Sequence, residues 1–169
     1  MPCKKHLMHV RPFFAGDEHG IAEIYNHYIM HTAVTFEETP LTAAQMRERI
    51  DSYVQHHPWL VCERDGLIVG YSYAHHFHHR AAYRHTTEVT VYVRQGYERR
   101  GIGKTLYAPL LDRLTRQGCH VALAAIALPN EGSVGLHEAF GFQKVAHLTE
   151  VGRKFERWID IGYWQKLLS

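Results

Sequence analysis

One stretch constrains the fold of this chain more than any other. From Thr87 to Val93 the side chains alternate, with Val89, Val91 and Val93 to one side and Glu88, Thr90 and Tyr92 to the other, the period of a strand. After a short polar link comes Arg99-Arg100-Gly101-Ile102-Gly103-Lys104. Ile102, Leu106, Leu110, Leu111 and Leu114 then follow helical spacing. A strand that runs through a glycine-rich turn into an amphipathic helix must lay that helix's apolar stripe on the sheet. The chain is therefore read as α/β.

The same turn suits an anion. Glycines admit a ligand close to the backbone, and the unpaired amides at a helix N-terminus favour negative charge such as a pyrophosphate. Arg99, Arg100 and Lys104 add mobile positive charge. Two familiar phosphate loops do not fit. A Walker A loop needs glycine five residues before Gly103, where Glu98 stands, and the dinucleotide fingerprint needs one three residues after it, where Leu106 stands.

The remaining elements read as follows. Leu7 to Phe14 is a strand. Ile21, Ile24, Tyr25, Tyr28 and Ile29 mark a helix, and a second begins at Thr42, where Thr42 and Gln45 form a capping box ahead of Met46, Ile50, Tyr53 and Val54. Trp59–Glu63 and Leu67–Tyr73 are strands joined by a tight turn at Arg64-Asp65-Gly66. Pro109 predicts a kink in the helix after the glycine turn. His120 to Ala127 is a continuous apolar strand buried on both faces. Asn130 caps a short helix ending at Gly141, and residues 142–164 hold two more strands. The order β α α β β β α β α β β describes a mixed sheet with helices on both faces.

Length and composition narrow the class. The 169 residues suit one domain, and 46% hydrophobic with 21% charged residues is globular usage. A net charge of +2 points to neither nucleic acid nor a membrane surface. The longest apolar run, Val121 to Leu128, is far short of a span. The N-terminus lacks the apolar core of a secretory signal, and Cys3, Cys62 and Cys119 form no paired motif, so a cytoplasmic protein with reduced thiols is expected. Fifteen histidines stand out, five of them at or beside His75-His76-Phe77-His78-His79 and His85. His76 and His78 would share a face of an extended strand, but no acidic or cysteine ligand lies at metal spacing, so no metal is expected.

The strand, turn and helix together resemble the GNAT superfamily of N-acetyltransferases, whose turn holds the pyrophosphate of acetyl-CoA. Glu98 departs from the glutamine or arginine that opens the superfamily's motif. Further blocks are similar to the phosphinothricin acetyltransferase family: I-Y-N-H-Y-I at 24–29, V-T-F-E-E at 34–38, R-A-A-Y at 80–83, E-V-T-V-Y-V at 88–93, L-P-N at 128–130, L-H-E-A-F-G-F at 136–142 and K-F-E-R-W-I-D-I-G-Y-W at 154–164. The resemblance covers nearly the whole chain after residue 8. It implies a single N-acetyltransferase domain over residues 1–169 with a GNAT fold, a central, mixed but mostly antiparallel twisted sheet. It also implies acetyl-CoA as co-substrate without a metal, and a small amino-acid analogue as acceptor: phosphinothricin, methionine sulfoximine or methionine sulfone. A homodimer is implied too, and three tryptophans and ten tyrosines leave aromatic surface for it.

Residue roles follow from the resemblance set against the chemistry. Acetyl transfer to an amine needs a base for the ammonium, donors for the carbonyl oxygen and a proton source for the thiolate. Glu88 is the candidate base, though a strand glutamate is otherwise solvated or ion-paired. His137 takes the place where many superfamily members carry a tyrosine on the thiolate side, and Tyr107 is a rival expected first to pack. Val91, Tyr92 and Val93 would pair with the pantetheine arm. Arg99, Arg100, Gly101, Ile102, Gly103 and Lys104 would hold the pyrophosphate, with Asn130 and Ser133 beside the arm. Arg80 would clamp a carboxylate, with Tyr83 near it, and Phe36, Glu37, Lys154 and Trp158 would complete the acceptor site. Packing or surface roles stay open for each. Two other functions compete: a non-catalytic acyl-CoA sensor, which would not need Glu88 and His137, and an acetyltransferase for a larger amine such as a polyamine or a protein N-terminus.

Overall fold

The computed structural model describes residues 8–168, so Leu7 of the first expected strand and Cys3 lie outside it. Eleven elements follow in the expected order. They are β1 (His9–Pro12), α1 (Glu18–His31), α2 (Ala43–Val54), β2 (Trp59–Arg64), β3 (Leu67–His76), β4 (Thr86–Val93), α3 (Ile102–Arg116), β5 (Val121–Leu128), α4 (Glu131–Ala139), β6 (Gln143–Lys154) and β7 (Arg157–Leu167). A single 3-10 turn, Ala81–Tyr83, interrupts the link between β3 and β4. The strands form one sheet in the order β1-β2-β3-β4-β5-β7-β6. Every neighbouring pair is antiparallel except β4 with β5, which run parallel.

Local chemistry explains the element ends. Thr42 and Gln45 make the capping box in full, with the Gln45 amide donating to Thr42 Oγ1 at 3.2 Å and the Thr42 amide to Gln45 Oε1 at 2.9 Å. Asp65 and Gly66 both take positive φ, 53° and 79°, so β2 and β3 meet in a two-residue turn. Asn130 Oδ1 accepts the Ser133 amide at 3.1 Å and caps α4.

Both sheet faces carry a core. Leu106, Tyr107, Leu110 and Leu114 of α3 pack with Val89, Ala124, Ile126, Phe142 and Trp164 on one face. Ile21, Ile24 and Ile29 of α1 and Met46 and Ile50 of α2 pack with Trp59, Val61, Tyr71 and Tyr92 on the other. Each fully buried Leu, Ile, Val, Phe or Met among these contributes about 1.5–3 kcal/mol by leaving water. α3 runs as one helix from Ile102 to Arg116 with Pro109 inside it. Two burial expectations change. Val54, at the end of α2, is exposed, and so is Ala125 of β5. The helices α1 and α2 cover only the β1–β4 half of their face, so Ala125 meets no helix.

The parallel pair is what creates a site. β4 and β5 are in register only from Thr86↔Val121 to Glu88↔Leu123. Beyond that point they separate, and β4 keeps its ladder with β3 as far as Val93↔Gly70. The β5-facing edge of Val89–Val93 therefore has no strand partner, and its backbone groups are open to a ligand.

Candidate active site

A groove of about 840 Å³ runs along that open edge to the glycine turn. Val91, Tyr92 and Val93 form one wall, Asn130, Ser133 and Leu136 of the α4 region the other, and Arg99, Gly101, Ile102, Gly103 and Lys104 its head. Gly101 caps α3 in the left-handed conformation, φ 81°, with Arg99 also left-handed at φ 58°. These two reversals lead the chain into the first turn of α3, whose Ile102, Gly103 and Lys104 line the groove. The helix's own bonding starts only at Thr105, whose amide donates to the Gly101 carbonyl at 3.0 Å, so the amides before it are free for an anion. Gly103 serves a different end: a Cβ there would stand 3.0 Å from Leu136 Cδ2, so the missing side chain lets α4 close against α3. Arg100 holds its guanidinium over the ring of Tyr97, a groove residue, 5.1 Å from the centroid. Glu98 turns its carboxylate back onto the Gly96 amide at 2.8 Å, away from competing for those free amides. These features fit a diphosphate-bearing carrier.

Tyr28 also lines this groove and donates to the Val93 carbonyl at 2.7 Å. It occupies one acceptor of the strand expected to pair with the arm. Nothing in the helical spacing of α1 distinguished Tyr28 from its buried neighbours.

Between the separated strands lies a small cavity of about 50 Å³ bounded by Val89, Thr90, Val91, Ala124–Ala127, Tyr107 and His137. His137 is buried and both of its ring nitrogens are engaged. Nδ1 lies 2.7 Å from the Ser133 carbonyl, which can only accept, so Nδ1 carries the proton. Burial holds His137 below its ordinary pKa, and the ring is neutral at pH 7. Nε2 is then an acceptor, and Tyr107 Oη donates to it at 2.7 Å. His137 thus orients the Tyr107 hydroxyl, whose ionisation burial pushes far above pH 7.

Glu88 sits where β4 and β5 part. Its side chain is on the face opposite Val89, with His75 directly across the β3–β4 ladder. Burial raises the Glu88 pKa above the usual carboxylate range, opposed by the nearby His75.

The proposed acceptor-site residues divide. Arg80 and Tyr83 stay together on the exposed link after β3, Tyr83 against Phe77 and His78. Phe36 lies over Gly152, and Glu37 is paired with Arg49 at 2.7 Å. Lys154 is buried and donates to the Thr35 carbonyl at 2.8 Å. Trp158 is 60% exposed, under the Arg153 guanidinium. Val34, which sequence reasoning passed over, lines both cavities. The shared strand face expected for His76 and His78 does not form, because β3 stops at His76, whose ring stands edge-on to His57, 4.5 Å between centroids. Among the described residues no three His, Cys, Asp or Glu side chains are placed to hold a metal ion.

Comparison with known proteins agrees with this geometry. Residues 15–162 match the family described as Acetyltransferase (GNAT) domain. A phosphinothricin N-acetyltransferase from Streptomyces viridochromogenes is 37% identical over 98% of this chain and 91% of its own length. An L-methionine sulfoximine/L-methionine sulfone acetyltransferase from Salmonella typhimurium is 32% identical over 89% of this chain and 88% of its own. A solved phosphinothricin acetyltransferase from Sinorhizobium meliloti in complex with AcCoA superposes with a TM-score of 0.93 at 32% identity, covering 96% of this chain and 89% of that one. A divergent pair of parallel strands, a free-amide turn at the head of their groove and these relatives give one conclusion: the chain is an N-acetyltransferase belonging to the GNAT family.

Proposed function

We propose that the chain acts as a single N-acetyltransferase domain, taking the acetyl group of acetyl-CoA to the free α-amine of a small amino-acid analogue of the phosphinothricin, methionine sulfoximine or methionine sulfone type. The observation that supports this reading is the parting of β4 from β5 immediately after Glu88 and Leu123, where a cavity lined by Tyr107 opens. Bound in the groove, acetyl-CoA supplies a thioester as acyl donor. The amides at the head of α3, with Arg99 and Lys104, hold its diphosphate, and the open edge of β4 holds the arm. Glu88 accepts a proton from the ammonium, directly or through water. On the sulfur side, the Tyr107 proton that His137 Nε2 holds at rest swings to the departing thiolate as its charge develops. Bringing amine and thioester together supplies much of the acceleration. Arg80, with Tyr83, is the carboxylate clamp in this reading, and the exposure of the guanidinium leaves it free to bind.

Measured coenzyme A release should be well above background with phosphinothricin, methionine sulfoximine or methionine sulfone. It should stay at background with spermidine and with an alanine-led peptide. Turnover confined to the last two would transfer the reading to larger amines. Tight acetyl-CoA binding with no turnover on any amine would leave a sensor.

The reading includes a homodimer and a cytoplasmic setting. Val145, Leu148, Val151, Phe155 and Trp158 expose large apolar side chains on the β6–β7 hairpin, more than a solvated sheet edge needs. Elution as a single chain on gel filtration would remove the dimer. The setting is supported by Cys62 and Cys119, both free thiols, and by the absence, among the described residues, of a helix long and apolar enough to cross a membrane.

A further inference from the structure

The loop between α1 and α2 contributes Val34 to both cavities, so its position sets one wall of the site. It has no ladder or helix of its own and is held by neighbours on three sides. From α1, Tyr25 Oη and Thr35 Oγ1 share a hydrogen bond at 2.8 Å. From α2, Arg49 pairs with Glu37 at 2.7 Å. The third side comes from more than a hundred residues later: Lys154 Nζ donates to the Thr35 carbonyl at 2.8 Å, and a Cβ added at Gly152 would run into the Phe36 ring.

Three features of the hairpin bring Lys154 there against local preference. The register of β6 slips between Leu148↔Ile161 and Gly152↔Ile159, and Asp160 holds the slipped segment by accepting the Glu150 amide at 2.8 Å. Such a bulge bends a strand and re-aims its end. The turn after Lys154 places Phe155 and Glu156 in the left-handed region, φ 49° and 60°, where Asn-Gly would be unstrained. Strain of this kind persists only where surrounding contacts over-determine it. Finally, Lys154 is only 3% exposed, with a single carbonyl partner and the charges of Glu37 and Glu38 nearby. Burying an ammonium is unfavourable, and an apolar side chain of the same length would fill the space more cheaply.

We propose that Lys154 is a positioning residue: it fixes the Val34–Glu37 loop through the Thr35 carbonyl, makes that loop a rigid wall of the transfer site, and does not itself touch the amine. This rests on the groove being the transfer site, as argued above. It replaces the expectation that Lys154 binds the acceptor.

The test uses Lys154→Met, Lys154→Arg and Gly152→Ala in the full chain. Without any ligand, amide hydrogen exchange over residues 33–38 should quicken by about tenfold or more in Lys154→Met and in Gly152→Ala, while α3 keeps its protection. With substrates, Lys154→Met should lower kcat by about 5- to 20-fold with the KM for acetyl-CoA within about twofold, and Lys154→Arg should recover most of the loss. Unchanged exchange in the ligand-free Lys154→Met protein, with a raised KM for the amine, would mean that Lys154 contacts the acceptor and would overturn the proposal. If Lys154→Met does not fold, unchanged exchange in Gly152→Ala overturns it equally. The exchange measurement needs no turnover, so a wrong choice of amine cannot imitate its failure.

Discussion

Replacing Glu88 with glutamine should lower kcat by about 10²- to 10⁴-fold, the range in which a positioned general base operates. Acetyl-CoA affinity should stay within about twofold, because the free amides that would hold the diphosphate lie at the other end of β4. The pH dependence carries the sharper signature. Glu88 must be ionised to accept a proton, and burial raises its pKa. The rate of the parent protein should therefore climb with pH through a limb lying above the usual carboxylate range, and fall as acid protonates Glu88. In Glu88→Gln that limb should vanish. His75 lies across the ladder and favours the ionised carboxylate, so His75→Gln should move the limb to higher pH. A Glu88→Gln protein with full turnover and the parent's pH profile would remove Glu88 from the chemistry.

Gly101→Val should weaken acetyl-CoA binding by about 5- to 30-fold in calorimetry, from the ~1–2 kcal/mol that an L side chain pays in the left-handed region. Nothing lies within 4 Å of a Cβ at Gly101, so no clash forces the rest of the protein to move. The exposed turn relaxes instead, and the amides at the start of α3 lose their common direction. The melting temperature should shift by a few degrees at most. Gly103→Ala is the contrast. Its φ suits alanine, but Leu136 stands in the way, so the expected loss comes from α4 being pushed off α3. Unchanged affinity in Gly101→Val would show that the turn is not where the diphosphate sits.

Much of this was legible in the residues because it is local. A capping box, an Asp-Gly turn, a helical stripe or an alternating strand depends on chemistry within a few positions, and Thr42–Gln45, Asp65–Gly66, the α3 leucines and Thr87–Val93 all form as read. The glycine turn was legible for the same reason. Lys154 was not: its partner Thr35 lies in a loop on the far side of the sequence, and a lysine in a run of charged and aromatic residues reads as a surface or ligand group. His137 was legible only as a helix residue beside the groove: its neutral state and its hydrogen bond from Tyr107 depend on α3 and α4 meeting in space.

By itself the chain's order of residues determined which segments are strands and helices, which of their faces are apolar, and where free amides gather at a helix start. Only the tertiary structure decided that β4 and β5 part after three residue pairs, that His137 accepts from the Tyr107 hydroxyl, and that a buried lysine from the last hairpin steadies the wall of the cleft. The physical reason is distance. Patterns a few residues long are set by backbone geometry and nearby side chains, whereas the opening of a sheet and the burial of a charge depend on surfaces that meet only once the whole chain has folded.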